Sequence, residues 1–303
     1  MDLNLQCADA LDYLATLADD SVDLIATDPP YFKVKDLPWD NAWKNERSFI
    51  SWLERVVIEF ARVLKPTGSM YLFTNPYLGG EIEHMASRHF KVLNHLIWRK
   101  PSGKWGHCHK ESLRKYFPQT ERIIFAESLK SNGFAYEPIY QYMKQALEGS
   151  RLTQAQINKK LGNKMAGHWF GKSQFTIPSA QNYAALQDLL PKLNMSYQDL
   201  YRWYADLRAS KARRFFAVSK EVPFTDVWDF KCVQYYPGKH PCEKPPLMME
   251  HIIASSSQPG DLVIDPFMGS GATAKAAVKL GRRFGGCDLD QHWVKTLEID
   301  LSR

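Results

Sequence analysis

The chain has no apolar run approaching the roughly 20 residues that a membrane-spanning helix needs, and its first residues lack a basic region followed by an apolar stretch. Neither a membrane span nor a secretory leader is expected. Cysteine is scarce: Cys7, Cys108, Cys232, Cys242 and Cys287 are odd in number, scattered, and form no C-x-x-C pair. That pattern argues against a disulfide framework or a zinc site and predicts a reduced, cytoplasmic protein. Internal repeats, low-complexity tracts and a flexible linker are also missing, so a solenoid or a tethered array is not expected.

What remains is ordinary in bulk. The 303 residues are 45% hydrophobic and 24% charged, enough for one large domain or a domain carrying a sizeable insert. The net charge of +6 is modest, but its placement is uneven. Arg99, Lys100, Lys104, Lys110, Arg114 and Lys115 share one short stretch with Glu111 as the sole acid, and Arg208, Lys211, Arg213 and Arg214 form a second group. Such patches suit a phosphate backbone, and equally suit solvated loops and helix faces.

Apolar periodicity divides the chain. Leu3–Gln6 and Val22–Thr27 read as strands flanking an amphipathic helix with Leu11, Leu14 and Leu17 on one face. A helix from about Ser48 to Leu64 follows, then a strand at Ser69–Phe73 and strand candidates at Leu93–Trp98 and Arg122–Phe125. The pattern returns with a strand at Asp261–Asp265, a helix at Ala272–Leu280 and a strand at Arg283–Cys287. Alternating strands and helices predict a doubly wound α/β sheet. Between 130 and 235 the periodicity is helical and buried-strand runs stop, so this segment reads as an insert. The expected division is 1–129 with 236–303 as one domain and 130–235 as the other.

Two motifs at opposite ends of the chain carry the chemistry. Thr27-Asp28-Pro29-Pro30-Tyr31 ends a buried strand, the edge at which open α/β sheets bind ligands. It supplies a carboxylate, a carbonyl aimed by proline's fixed geometry, and an aromatic face. An exocyclic amine on a planar ring is a poor nucleophile because its lone pair is delocalised. Asp28 and the Pro29 carbonyl can each accept one amine hydrogen, drawing the nitrogen towards a tetrahedral geometry while Tyr31 stacks on the ring. Pro-Pro after Asp is also common turn chemistry. The second motif, Asp265-Pro266-Phe267-Met268-Gly269-Ser270-Gly271, is a strand, glycine turn and helix start that lets a ligand approach the backbone. Asp288, about twenty positions on, suits ribose hydroxyls. The turn is neither G-x-G-x-x-G nor followed by Lys-Ser or Lys-Thr, which disfavours dinucleotide and P-loop sites. A purely structural turn, and a capping role for Asp288, remain open on these residues alone.

Taken together, these segments resemble the S-adenosylmethionine-dependent DNA amino-methyltransferases, in the circularly permuted beta class where the catalytic motif precedes the cofactor motif. Asp28–Tyr31 is similar to the D-P-P-Y usual for adenine N6 methylation, and Asp265–Gly271 to the F-x-G-x-G cofactor segment. His240-Pro241-Cys242-Glu243-Lys244-Pro245 resembles H-P-t-x-K-P, which lies against the cofactor's methionine end, with Cys242 in place of the more common Thr. Ala8-Asp9-Ala10 resembles the segment that meets its adenine. The resemblance implies a mostly parallel sheet of about seven strands. It makes Asp28, Pro29, Pro30 and Tyr31 catalytic. It assigns Asp9, Ala10, Asp28, His240, Lys244, Pro245, Asp265, Pro266, Phe267, Gly269, Gly271 and Asp288 to S-adenosyl-L-methionine. No metal is implied, because a sulfonium is already electrophilic.

The insert falls where this class keeps its target-recognition domain. Within 151–194, Leu152–Gly162 resembles the first helix and turn of a helix-turn-helix, with Asn163–Gly171 as the second helix and Pro178–Leu193 packing behind, although a plain helical hairpin fits as well. Lys164, His168 and Lys172 are expected to meet double-stranded DNA, with Arg213 and Arg214, while Trp169 is expected in the core. Ser102–His109 mixes Lys104, Trp105, His107 and His109 close to Lys100 and could reach the duplex or fill the gap left by an extruded base. Metal binding by His107-Cys108-His109 is the poorer idea, since adjacent residues on a strand face opposite ways. The rival activities are cytosine N4 methylation and methylation of RNA or a protein glutamine. A non-catalytic DNA-binding regulator is the rival from outside enzymology. The resemblance also leaves a homodimer and a cognate restriction enzyme as partners to test.

Overall fold

The computed structural model describes residues 3–100, 114, 116, 119–130, 136–210 and 225–302. The chain separates into two compact units, Met1–Ser131 with Arg214–Arg303, and Asn132–Arg213. The first is built on a sheet of β1 (Leu3–Cys7), β2 (Val22–Thr27), β3 (Leu64–Thr74), β4 (Phe90–Arg99), β5 (Thr120–Ser128), β6 (Val227–Trp228), β7 (Leu262–Asp265) and β8 (Arg283–Asp288). Its order is β1-β8-β7-β2-β3-β5-β4-β6. Every neighbouring pair is parallel except those that β5 makes with β3 and β4.

Strand alternation explains why both faces are covered. In β3, Met70 and Leu72 point to one core while Tyr71 and Phe73 point to the other, and in β5 Ile124 and Ala126 oppose Ile123 and Phe125. A sheet buried on both faces needs such near-continuous apolar runs. Helices α1 (Ala10–Ala15), α2 (Glu46–Val63) and α3 (Gly79–Ala86) cover the first face through Tyr13, Leu14, Phe49, Leu53, Phe60 and Ile82. The long α2 starts at a capping box, in which Asn45 accepts from the Ser48 amide at 2.9 Å and donates its own amide to the Ser48 hydroxyl at 3.2 Å;.

The second unit holds α4 (Glu137–Ser150), α5 (Gln154–Leu161), α6 (Ala166–Phe170), α7 (Ala180–Leu189) and α8 (Tyr197–Ser210) around Ile139, Met143, Trp169, Tyr183, Leu186 and Leu200. Trp169 is buried, as expected for the core of this segment. A Thr153–Gln156 capping box opens α5, and Gly162 closes it in the left-handed region at φ 64°;. The Asn158 side chain accepts from the Ala166 amide at 3.0 Å, fixing the turn between α5 and α6. The second helix of this pair is therefore only Ala166–Phe170, shorter than the Asn163–Gly171 expected.

Helices α9 (Pro246–Ser256), α10 (Ala272–Lys279) and α11 (Gln291–Leu301) cover the other face of the sheet through Met248, Ile252, Ala274, Ala277, Val294 and Leu297. Two boundaries differ from the sequence reading. The sheet has eight strands rather than about seven, because Val227 and Trp228 pair with Ile97 and Trp98 along the β4 edge. The compact helical unit ends near 213 rather than 235 for the same reason: Trp228, Phe230 and Cys232 pack into the sheet's second core. Among the described residues no helix is long and apolar enough to cross a membrane.

Candidate active site

The connections leaving β2 and β7 run in opposite directions across the sheet: β2 leads to β3 on one side, β7 to β8 on the other. Such a reversal opens a crevice at the strands' carboxyl ends. Because β2 and β7 are parallel neighbours, Asp28 and Pro266 leave the sheet at the same edge. The Thr27 hydroxyl donates to Asp265 Oδ1 at 2.6 Å and the Thr273 hydroxyl to Oδ2 at 2.6 Å, while the Phe267 amide reaches Oδ1 at 3.1 Å. Burial pushes Asp265 up to about 6 despite those three donors. Two motifs 238 residues apart thus share one buried carboxylate.

On the glycine side, Gly269 has φ 48° and Gly271 φ 76°, conformations in which L side chains are strained;. A Cβ on Gly269 would meet the His240 ring at 3.0 Å, and one on Gly271 would lie 2.3 Å from Leu297 Cδ1. Asp288 Oδ2 accepts from the Gly269 amide at 2.9 Å and Oδ1 from the Asp290 amide at 2.9 Å. Burial holds its carboxyl above the ordinary value against these donors. Each oxygen has a second lone pair, so the carboxylate can take further donors. Asp9 caps α1 through the Leu11 amide at 2.8 Å, and buried Ala10 begins that helix. The Ala8 amide donates to the Asp288 carbonyl at 3.1 Å, which places this turn beside the end of β8. Pro266 receives the Cys287 thiol on its carbonyl at 3.2 Å, and Phe267 meets Trp52 edge-on at 5.8 Å. His240 packs edge-on against Trp293 at 4.8 Å. Burial, with Lys244 and Lys239, lowers its pKa to about 4.

On the Asp28 side, Pro29 is buried, and Pro30 and Tyr31 are partly so. Lys244, which precedes the α9 cap Pro245, pairs with Asp28 Oδ2. The other oxygen, Asp28 Oδ1, is buried and accepts no hydrogen bond. Burial holds the Asp28 carboxyl above the usual range, with Lys244 opposing and Glu121 adding to the rise. A buried acceptor without a donor costs about 1–3 kcal/mol; it fits a ligand that brings an N–H.

Several functional groups escape sequence reasoning. Glu121, on β5, accepts the Tyr31 hydroxyl at 3.2 Å, lies 3.4 Å from Lys244 and pairs with Lys100. Burial opposes its ionisation, but Lys244 and Lys100 outweigh burial and hold it below the usual range. Asp40, fully buried, accepts from the amides of Tyr31 at 2.7 Å, Val34 at 2.7 Å and Lys35 at 2.6 Å. Asn75 donates to the Tyr31 carbonyl at 2.6 Å. A charge at the start of an otherwise apolar strand run was the available signal for Glu121. Asp40, in an irregular loop, gave none.

Of the residues expected on DNA, Lys100 is engaged inside this site by Glu121 and lies 5.0 Å over the Trp98 ring. Lys172 pairs with Glu137 at 2.8 Å and covers Tyr140, which leaves its charge partly neutralised. Lys164 is exposed, and His168 Nδ1 lies 3.3 Å from the Gln174 carbonyl. Lys104, Trp105, His107, Arg213 and Arg214, and the His107-Cys108-His109 triplet, lie outside the described residues. Among the described residues no three His, Cys, Asp or Glu side chains gather as a metal site.

The chain is similar to several known proteins. The DNA methylase family, of the N6/N4 type, matches residues 22–298. DNA adenine methyltransferase YhdJ of Escherichia coli (strain K12) is 28% identical over 291 residues, 95% of this chain and 78% of that protein. Among solved structures, the M1.HpyAVI–SAM complex aligns with a TM-score of 0.55 at 20% identity, covering 98% of this chain and 99% of that one. PvuII DNA methyltransferase, cytosine-N4-specific, aligns with a TM-score of 0.58 at 13% identity, covering 98% and 85%. The structural likenesses show a shared fold.

Proposed function

This chain belongs to the N6/N4 DNA methylase family, and on that premise we propose that it methylates the N6 amine of an adenine flipped out of double-stranded DNA, using S-adenosyl-L-methionine. The observation that carries the reading is the half-satisfied carboxylate of Asp28. Lys244 occupies Oδ2, and Oδ1 is buried without a donor at the sheet's switch point. An exocyclic amine would supply that donor. Its second hydrogen would go to the Pro29 carbonyl, and Tyr31, held at its hydroxyl by Glu121 and at its backbone by Asp40 and Asn75, would stack on the ring. The aspartate in the motif, where cytosine N4 enzymes more often carry serine, and the likeness to YhdJ support adenine.

The residues at the glycine turn fit the cofactor. Gly269 and Gly271 hold a left-handed turn with no room for side chains, since a Cβ would meet His240 at 3.0 Å and Leu297 at 2.3 Å, and Asp288 and Asp9 stand at the ends of β8 and β1 on the same edge. In the reading that the resemblance supports, Asp288 holds the ribose, Asp9 and Ala10 flank the adenine, and His240, Pro245, Asp265, Pro266 and Phe267 shape the methionine end. The bound cofactor supplies an electrophilic methyl group. The chain's own groups orient the amine, exclude water and stabilise the positive charge that develops on nitrogen, with Asp28 as the nearest carboxylate. Extruding a base costs a few kcal/mol, offset by stacking and backbone contacts. The circularly permuted order of the motifs, catalytic before cofactor, belongs to this proposal, as does a target-recognition role for the helical unit with its α5–turn–α6 pair.

The test is transfer of a labelled methyl group to DNA, followed by mass spectrometry of the digested nucleosides. N6-methyladenine supports the proposal. N4-methylcytosine would move it to the alternative base, and label in RNA or protein, or none, would overturn it.

A further inference from the structure

Resting on that reading of Asp28, we propose that Glu121 is a positioning residue which divides the charge of Lys244, so that Asp28 keeps the negative potential the reacting amine needs. The Lys244 ammonium is buried between two carboxylates, paired with Asp28 Oδ2 and 3.4 Å from Glu121 Oε2. It lies 5.4 Å from the Tyr31 ring centroid and 5.1 Å from that of Phe73, walls that exclude water. A lysine facing Asp28 alone in such a setting would spend its whole charge on that carboxylate, because Coulomb terms grow as the local dielectric falls. With Glu121 as second partner, the inner group of Asp28, Lys244 and Glu121 carries one net negative charge. That sign is required where an amine nitrogen becomes cationic as it bonds to carbon. After transfer the nitrogen holds one proton too many, and Asp28 Oδ1 is the nearest acceptor.

Lys100 sets how far Glu121 can act. It pairs with the other oxygen of Glu121 from the end of β4, and so draws that carboxylate away from Lys244. The titratable groups around Asp28 are Tyr31 on its own loop, Glu121 on β5, Lys100 just after β4, Cys242 and Lys244 before α9, and Asp265 on β7. The two outer members have opposite effects. Loss of Glu121's charge leaves Lys244 wholly to Asp28 and makes that carboxyl more acidic. Loss of Lys100's charge frees Glu121 to hold Lys244 and makes it less so.

The experiment uses the full chain as Glu121→Gln and Lys100→Gln, with thermal unfolding to show that each variant is folded. Carbon NMR of labelled aspartate carboxyls, with Asp28 assigned through Asp28→Asn, reads the Asp28 titration in the protein without substrate. The expected result is a downward shift in Glu121→Gln and an upward shift in Lys100→Gln. In single-turnover transfer, the acid limb of the pH profile should move the same way. The plateau rate of Glu121→Gln should fall roughly ten- to a hundredfold, with cofactor and DNA affinities unchanged. Shifts of the same sign, or none, overturn the proposal, as does a rate loss explained by affinity alone. If Glu121→Gln does not fold, Lys100→Gln still decides through the sign of its shift. A wild-type protein that transfers no methyl group would defeat the assignment of activity, while the Asp28 titration would still judge Glu121.

Discussion

Asp28, paired with Lys244, and His240, packed by Gly269 and Trp293, respond differently to charge. Asp28→Asn keeps the shape of the side chain and removes its charge. We expect transfer to fall by about 10²–10⁴-fold with cofactor affinity retained, measured by single-turnover transfer beside calorimetric binding. Equal loss of both would indicate misfolding. His240 moves from its ordinary 6.5 to about 4 on folding. Between those values the unfolded chain binds a proton that the folded chain does not, so stability rises with pH. Its contribution is complete above about pH 6.5 and is lost as pH falls towards 4, at most about 3 kcal/mol. Asp265, raised from 3.8 to about 6, has the opposite sense, stabilising at low pH and losing that effect as pH rises through 6. His240→Gln should therefore remove the part of thermal stability that rises with pH between about 4 and 6.5, so the parent's stability relative to the variant should grow across that window, read by thermal unfolding of both proteins in a pH series;.

Element boundaries give sharper tests of folding. The Asn45 box at the start of α2 satisfies amides that the helix leaves open, and Asn45→Ala should cost about 1 kcal/mol in urea unfolding. At the start of α10, Gly271→Ala meets both a left-handed backbone and the buried Leu297 side chain. A loss of about 1–3 kcal/mol is expected from strain and overpacking. Which elements the sequence made legible follows from the same physics. The strands β2, β3, β7 and β8 stand out as short apolar runs because both their faces are buried. Their ends carry the Asp28 and Gly269 motifs, so that much of the crevice could be placed beforehand. Lys100 and Asp40 could not, and Glu121 offered only a charge at the start of its strand, because their contacts arise from pairing across β4, β5 and the loop after Tyr31. Val227–Trp228 was hidden for a similar reason: two residues have no periodicity, and only the free edge of β4 makes them a strand.

For the molecule as a whole, the net charge of +6 is better used as a guide to DNA binding than to fold. Affinity for duplex should fall linearly with the logarithm of salt concentration, by about 0.9 for each phosphate neutralised. Lys164 and Lys172 separate the contributions. Lys164 is exposed, so Lys164→Ala should reduce the salt slope by about one. Lys172 is already held by Glu137, so Lys172→Ala should change it less. Titrating the three proteins with labelled duplex across a salt series checks both statements.

The sheet order has a consequence in time. β1 and β2 are translated first, yet they stand apart, and the space between them is filled by β7 and β8, which leave the ribosome last. At about 5–20 residues per second, the 238 positions between Thr27 and Asp265 take tens of seconds to emerge. A nascent chain can therefore present Asp28 long before it has a floor on which to seat a methyl donor. A chain interrupted before β7 lacks the Asp265 carboxylate to which the Thr27 hydroxyl donates and the strands that lie between β1 and β2.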